Sequence, residues 1–115
     1  MSEQLNTLLE CLEKVKALDI TVIDIKSEAD FADYFIICTA SSNRHAKTIS
    51  NECLTSAKEN RSFHHSEVDD DMSWVIVDCY DIIIHIMQEE SREFYGLENL
   101  WNHNSVEKVD RTVND

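Results

Sequence analysis

Between Trp74 and Met87 the chain carries two apolar runs, Trp74-Val75-Ile76-Val77 and Ile82-Ile83-Ile84 followed by His85-Ile86-Met87, parted at Tyr80-Asp81. No other stretch restricts the fold so strongly. Short runs rich in β-branched residues read as strands, and two of them this close together read as a hairpin, here made without the usual glycine. Side chains alternate between the two faces of a strand. Val75, Val77 and Cys79 therefore share one face, as do Ile82, Ile84 and Ile86 on the partner strand, and both sets read as core. The opposite parity gathers Trp74, Ile76 and Asp78 with Asp81, Ile83, His85 and Met87. Such an apolar, aromatic and acidic mixture suits a protein-binding patch with a charged rim, and it equally suits a face covered by a helix. Parity alone leaves both open.

The rest of the chain supplies partners for that hairpin. Leu5, Leu8, Leu9, Leu12 and Val15 recur at helical spacing and predict an amphipathic helix over residues 3–17. Ile20 to Ile25 alternates as a strand, and a second strand is expected at Asp33–Thr39. Ala46, Ile49, Cys53 and Ala57 predict a long helix over about 43–59 with Ser41 or Ser42 as N-cap. A short edge strand is expected around Phe63–Ser66, and a closing helix carries Phe94, Leu97 and Trp101. The strand-helix-strand unit over 33–66 requires a crossover and a parallel pairing, while the hairpin is antiparallel. The fold class is therefore α/β, a mixed β-sheet flanked by helices. One domain over residues 1–102 is expected, with a polar, frayed tail over 103–115. With Gly96 as the sole glycine and no proline, turns must draw on Asn, Asp and Ser.

Ten Lys+Arg stand against 23 Asp+Glu, a net charge of −13, and residues 61–115 hold thirteen of the acids with only four of the bases. A surface so negative argues against direct nucleic-acid binding and for a basic protein partner met through the second half of the chain. The N-terminus lacks the basic region of a secretory signal, and the longest apolar run is too short to span a bilayer, so a cytoplasmic protein is expected. Cys11, Cys38, Cys53 and Cys79 show no metal-ligand spacing, and they read as small buried hydrophobes in a reducing compartment.

Catalytic patterns are weak. The Ser41-Ser42-Asn43-Arg44 turn sits where a strand enters a helix, a place where backbone N–H groups can hold phosphate, yet it lacks glycine and a Walker lysine. A nucleotide binder or nucleotidyltransferase-like enzyme using this turn with Asp78 is the alternative reading. His64 and His65 point to opposite sides of a strand, and His85 has no ligand partner at metal spacing, so neither a metal nor a cofactor is expected.

Ala17-Leu18-Asp19-Ile20, Ala32-Asp33-Tyr34-Phe35-Ile36-Ile37, Ser42-Asn43-Arg44-His45, Trp74-Val75-Ile76-Val77-Asp78, Asp81-Ile82-Ile83-Ile84-His85-Ile86 and Glu90 to Trp101 fall in an order that resembles the Iojap or ribosomal silencing factor family. The resemblance runs from about residue 5 to 101. It implies a nucleotidyltransferase-like topology without the catalytic motif: Ala40-Ser41 stands where the enzymes have Gly-Ser, and Asp78 and Asp81 are three apart rather than two. It also implies binding to the large ribosomal subunit through ribosomal protein L-fourteen, which blocks joining of the small subunit and represses translation when nutrients are short. Ala40 and Tyr80 occupy positions where family members often carry glycine. Joined to the hairpin reading, the resemblance nominates Trp74, Asp78, Tyr80, Asp81, His85, Met87, Glu90 and Glu93 as partner-binding residues. A homodimer formed through the exposed edge of the sheet is a further expectation.

Overall fold

The computed structural model describes residues 3–100 and 106–108. Its elements are α1 (Glu3–Lys14), β1 (Leu18–Asp24), β2 (Tyr34–Ala40), α2 (Asn43–Glu59), β3 (His65–Val68), β4 (Trp74–Asp78), β5 (Ile82–Gln88), α3 (Glu89–Tyr95), a 3-10 turn (Leu97–Leu100) and β6 (Val106–Lys108). The six strands lie in the order β3-β4-β5-β2-β1-β6. β2 and β5 are parallel, and the other neighbouring pairs are antiparallel. The crossover through α2 does not set β3 beside β2. It carries the chain to the far edge, and the returning hairpin then places β5 against β2. β6, inside the stretch expected to be a polar tail, pairs with Thr21–Ile23 of β1.

The alternation seen in the hairpin divides the sheet into two cores. Val75, Val77, Cys79, Ile82, Ile84 and Ile86 join Ile36 and Cys38 under the apolar stripes of α1 and α2. The opposite face holds a smaller cluster of Ile23, Ile25, Ala32, Phe35, Ile37 and Met87, with Trp74, Ile83 and Leu97 packed against it. Cys38, Cys53 and Cys79 are free and buried; burial raises all three thiols, Cys38 to about 12 and Cys79 to about 11, which makes them inert.

Scarce glycine shows at the helix ends. The expected helix over 3–17 stops at Lys14 because Lys16 adopts φ 60°, with Lys16 N–H donating to the Glu13 carbonyl and Ala17 N–H to Leu12. The same pair of bonds closes α2, where Arg61 adopts φ 56° and Ser62 N–H donates to Ala57. Both are Schellman closures built without the glycine that normally relieves the left-handed residue. Gly96 performs that task for α3, with φ 53° and its N–H on the Arg92 carbonyl. α3 therefore ends after seven residues, shorter than the three turns expected. Phe94 is exposed rather than part of a core stripe. Trp101 lies outside the described residues.

Ser42 is the N-cap of α2, its hydroxyl accepting from His45 N–H at 3.0 Å. Side chains build other turns as well. Asp69 accepts from the N–H groups of Ser73 and Trp74 at 2.9 and 3.1 Å and from the Ser73 hydroxyl at 2.7 Å. The acidic run Asp69-Asp70-Asp71, which reads as a solvated loop, thus contains the residue that sets the start of β4 and the position of Trp74.

Candidate functional site

The cross-strand pairs Trp74–Met87, Ile76–His85 and Asp78–Ile83 carry the mixed face of the hairpin. Cover and patch both occur there. Met87 is fully buried and His85 is 5% exposed, whereas Trp74, Ile76, Asp78 and Ile83 are half-buried. Met87 and His85 therefore hold the surface from beneath instead of contacting a partner, a correction to the sequence expectation. The cause is the segment Ile25–Asp33 together with Leu97, which close over β1, β2 and the end of β5.

His85 fixes Trp74. The indole Nε1–H donates to His85 Nδ1 at 3.1 Å, so the neutral ring carries its proton on Nε2, which has no hydrogen-bond partner among the described residues. Burial lowers the imidazole to about 4, which keeps it neutral and an acceptor near pH 7. The Phe35 ring lies 4.6 Å from that of His85, and Phe31 lies 6.1 Å from Phe35. On the other side Tyr95 lies 4.7 Å from Trp74, with Phe94 edge-on to it at 4.9 Å. The result is a strip running Phe31-Phe35-His85-Trp74-Tyr95-Phe94 across the sheet, with Phe31, Tyr95 and Phe94 exposed. Phe31 and Tyr95 were not anticipated. Adjacent aromatics on a short helix, Phe94-Tyr95, were the available signal, because two side chains about 100° apart do not both enter one core.

The nominated carboxylates do not form one rim. Asp78 and Asp81 stand at the hairpin tip. Glu90 and Glu93 stand on α3 beyond the other end of β5, roughly 25 Å away at the rise of a strand. The aromatic strip lies between the two groups. At the tip Tyr80 adopts φ 69°, its N–H donating to the Asp78 carboxylate at 2.9 Å, and its half-exposed ring stacks on His64 at 4.7 Å. His64 Nδ1 in turn lies 3.4 Å from Asp78 Oδ2. The left-handed backbone explains why glycine suits this position. Ala40 has no positive φ and is buried in the larger core, so alanine is accommodated there.

The Ser41–Arg44 turn is occupied by its own side chains. His45 Nδ1 accepts from Ser41 N–H at 2.9 Å, and its Nε2 donates to the Val15 carbonyl at 2.9 Å. A cleft beside the turn is lined also by Asp71, Glu89 and Glu90, whose charge opposes a phosphate chain. Asp78 pairs with Ile83 while Ala40 pairs with Gln88, so five residues of β5, about 16 Å, separate the turn from Asp78. The group of residues that the enzyme reading requires is not brought together. Outside that set, Arg92 joins α3 to the sheet: its guanidinium donates to the Asp19 carbonyl, the hydroxyls of Thr21 and Thr39, and the Glu98 carboxylate, all at 2.7–3.3 Å.

Residues 1–115 match the family model described as "Ribosomal silencing factor during starvation". The chain is 34% identical over 95 residues to ribosomal silencing factor RsfS of Haemophilus influenzae, covering 82% of this chain and 93% of that one. It is 32% identical to mouse mitochondrial assembly of ribosomal large subunit protein 1, covering 90% of this chain and 47% of the mouse protein. A crystal structure of a Chromobacterium violaceum protein superposes with a TM-score of 0.81 at 29% identity, covering 98% of this chain and 94% of the other.

Proposed function

The chain belongs to the ribosomal silencing factor family, and from that premise we propose that it binds the large ribosomal subunit through ribosomal protein L-fourteen and blocks joining of the small subunit by occupying the site. The observation that carries this reading is the aromatic strip of Trp74, Tyr95 and Phe94, exposed on one face and bracketed at both ends by carboxylates. Partly buried aromatics in a supported setting are what a protein interface uses for affinity, and flanking carboxylates select a basic partner and speed encounter. The action is steric and not enzymatic, in keeping with a turn in which the Ser41 and His45 N–H groups are taken up by the His45 ring and the Ser42 hydroxyl. It belongs in the cytoplasm, where ribosomal subunits meet. A homodimer would have β3 as its open edge, since all four of its residues are exposed.

Sedimentation with purified large and small subunits tests the reading. Co-sedimentation with large subunits alone, and inhibition of subunit joining, are expected. Trp74→Ala should weaken binding at least tenfold, and the double variant Asp81→Lys with Glu93→Lys should abolish it while the protein stays folded. Undiminished binding by both variants would move the docking surface elsewhere.

A further inference from the structure

The net charge of −13 hides a segregation of charge. Lys14 pairs with Glu52 at 3.0 Å, Lys26 with Asp24 at 3.5 Å and Arg92 with Glu98 at 2.8 Å. Arg44, Lys47 and Lys58 are exposed, and none of them makes an ion pair among the described residues. At positions i, i+3 and i+14 they fall on one ridge of α2, interleaved with Thr48, Asn51 and Thr55. The acids of that helix, Glu52 and Glu59, turn away toward Lys14 on α1. The ridge runs about 21 Å at the rise of a helix. It lies on the helical side of the sheet, opposite the aromatic strip. Beside it a groove of about 530 Å³ opens toward β3, with Glu67 the one carboxylate in its lining.

We propose that this ridge of α2 contacts the phosphodiester backbone of RNA. Cations spread over four turns with hydroxyl and amide groups between them are the usual phosphate-contacting set. An acidic protein partner is less well served, because the ridge itself carries no exposed aromatic side chain; the apolar groups near it are Leu54 and Val68 in the groove and the half-buried Phe63 under Lys58. Glu67 in the groove and Asp71 beside the Arg44 end of α2 weaken the attraction there, so the salt slope is the quantity to compare and not affinity alone. The ridge is separate from the aromatic strip, and the proposal does not depend on where that strip docks.

The test is binding of the full chain to deproteinised large-subunit rRNA between 50 and 200 mM salt, compared with the triple variant Arg44→Gln, Lys47→Gln and Lys58→Gln. Losing three phosphate contacts should lower the slope of log affinity against log salt by roughly 2 to 3. Affinity at 50 mM should fall at least tenfold, with an unchanged thermal melt. Arg44→Lys, which keeps the charge, should retain the slope, and Trp74→Ala should bind the RNA as wild type does. Failure of the wild-type chain to bind the RNA, or an unchanged slope in the triple variant, overturns the proposal. Loss of large-subunit binding in that variant with RNA binding intact would assign the ridge to an acidic protein and overturn it equally.

Discussion

Two side chains do most to hold the aromatic face in place, and each makes a measurable prediction. His85 is held at about 4 by burial, below the 6.5 of an exposed imidazole, so the unfolded chain takes up that proton first as pH falls. Its stabilising contribution is full above pH 6.5 and drains away between 6.5 and 4, by about 3 kcal/mol in all. His85→Gln, which can still accept from the Trp74 indole, should flatten the fall in urea midpoint across that window; a fall as steep as in the wild type would remove His85 as its source. Arg92 is the second support. Arg92→Met strands the Asp19 carbonyl and the Glu98 carboxylate, and should cost about 2–4 kcal/mol in urea unfolding. Neither role was legible in the sequence. His85 showed only its strand parity, and Arg92 is one base in an acidic helix start whose partners on the sheet lie 53 to 73 residues away.

At the scale of elements, the chain closes α1 and α2 on left-handed Lys16 and Arg61 and turns its hairpin on Tyr80 at φ 69°. An L-residue in that region costs about 1–2 kcal/mol, which glycine avoids. Lys16→Gly and Arg61→Gly should each raise stability by up to about 1 kcal/mol, read as a higher melting temperature. A lower one would mean that the lost side-chain contacts outweigh the relieved backbone. Gly96→Ala should do the reverse, because a Cβ there meets Asn99 Nδ2 at 3.1 Å and enters the same strained region. Most elements were readable from periodicity. The bounds of α2 and the strands of the hairpin follow the apolar repeat closely, because burial on one face dictates it. Helix ends were not readable, since Lys and Arg carry no signal for a left-handed closure.

At the scale of the whole molecule, the charges separate by element. The carboxylates at the hairpin tip and on α3 bracket the aromatic strip, and the free cations of α2 lie behind it. Docking through the strip should accordingly weaken with salt even in the variant lacking the α2 cations, because carboxylate pairing with a basic protein is also screened. Sedimentation of that variant with large subunits at 50 and 200 mM salt checks this, and salt-independent binding would mean that the carboxylates at the rim contribute nothing.

The sequence by itself determined the α/β class, the core face of the hairpin and the family, because each rests on local pattern: alternation, helical spacing and blocks of residues in order. Tertiary structure alone decided which half of the mixed face stays exposed. That outcome depends on Ile25, Ala32 and Phe35 reaching the cluster of Met87 from a distant part of the chain, with the Phe35 ring against His85. It also split the nominated acids between two ends of β5 and left the cations of the α2 ridge, whose common face the helical spacing already sets, without ion-pair partners among the described residues. The split is a matter of distance across a folded sheet, which neither a net charge of −13 nor any spacing along the chain contains.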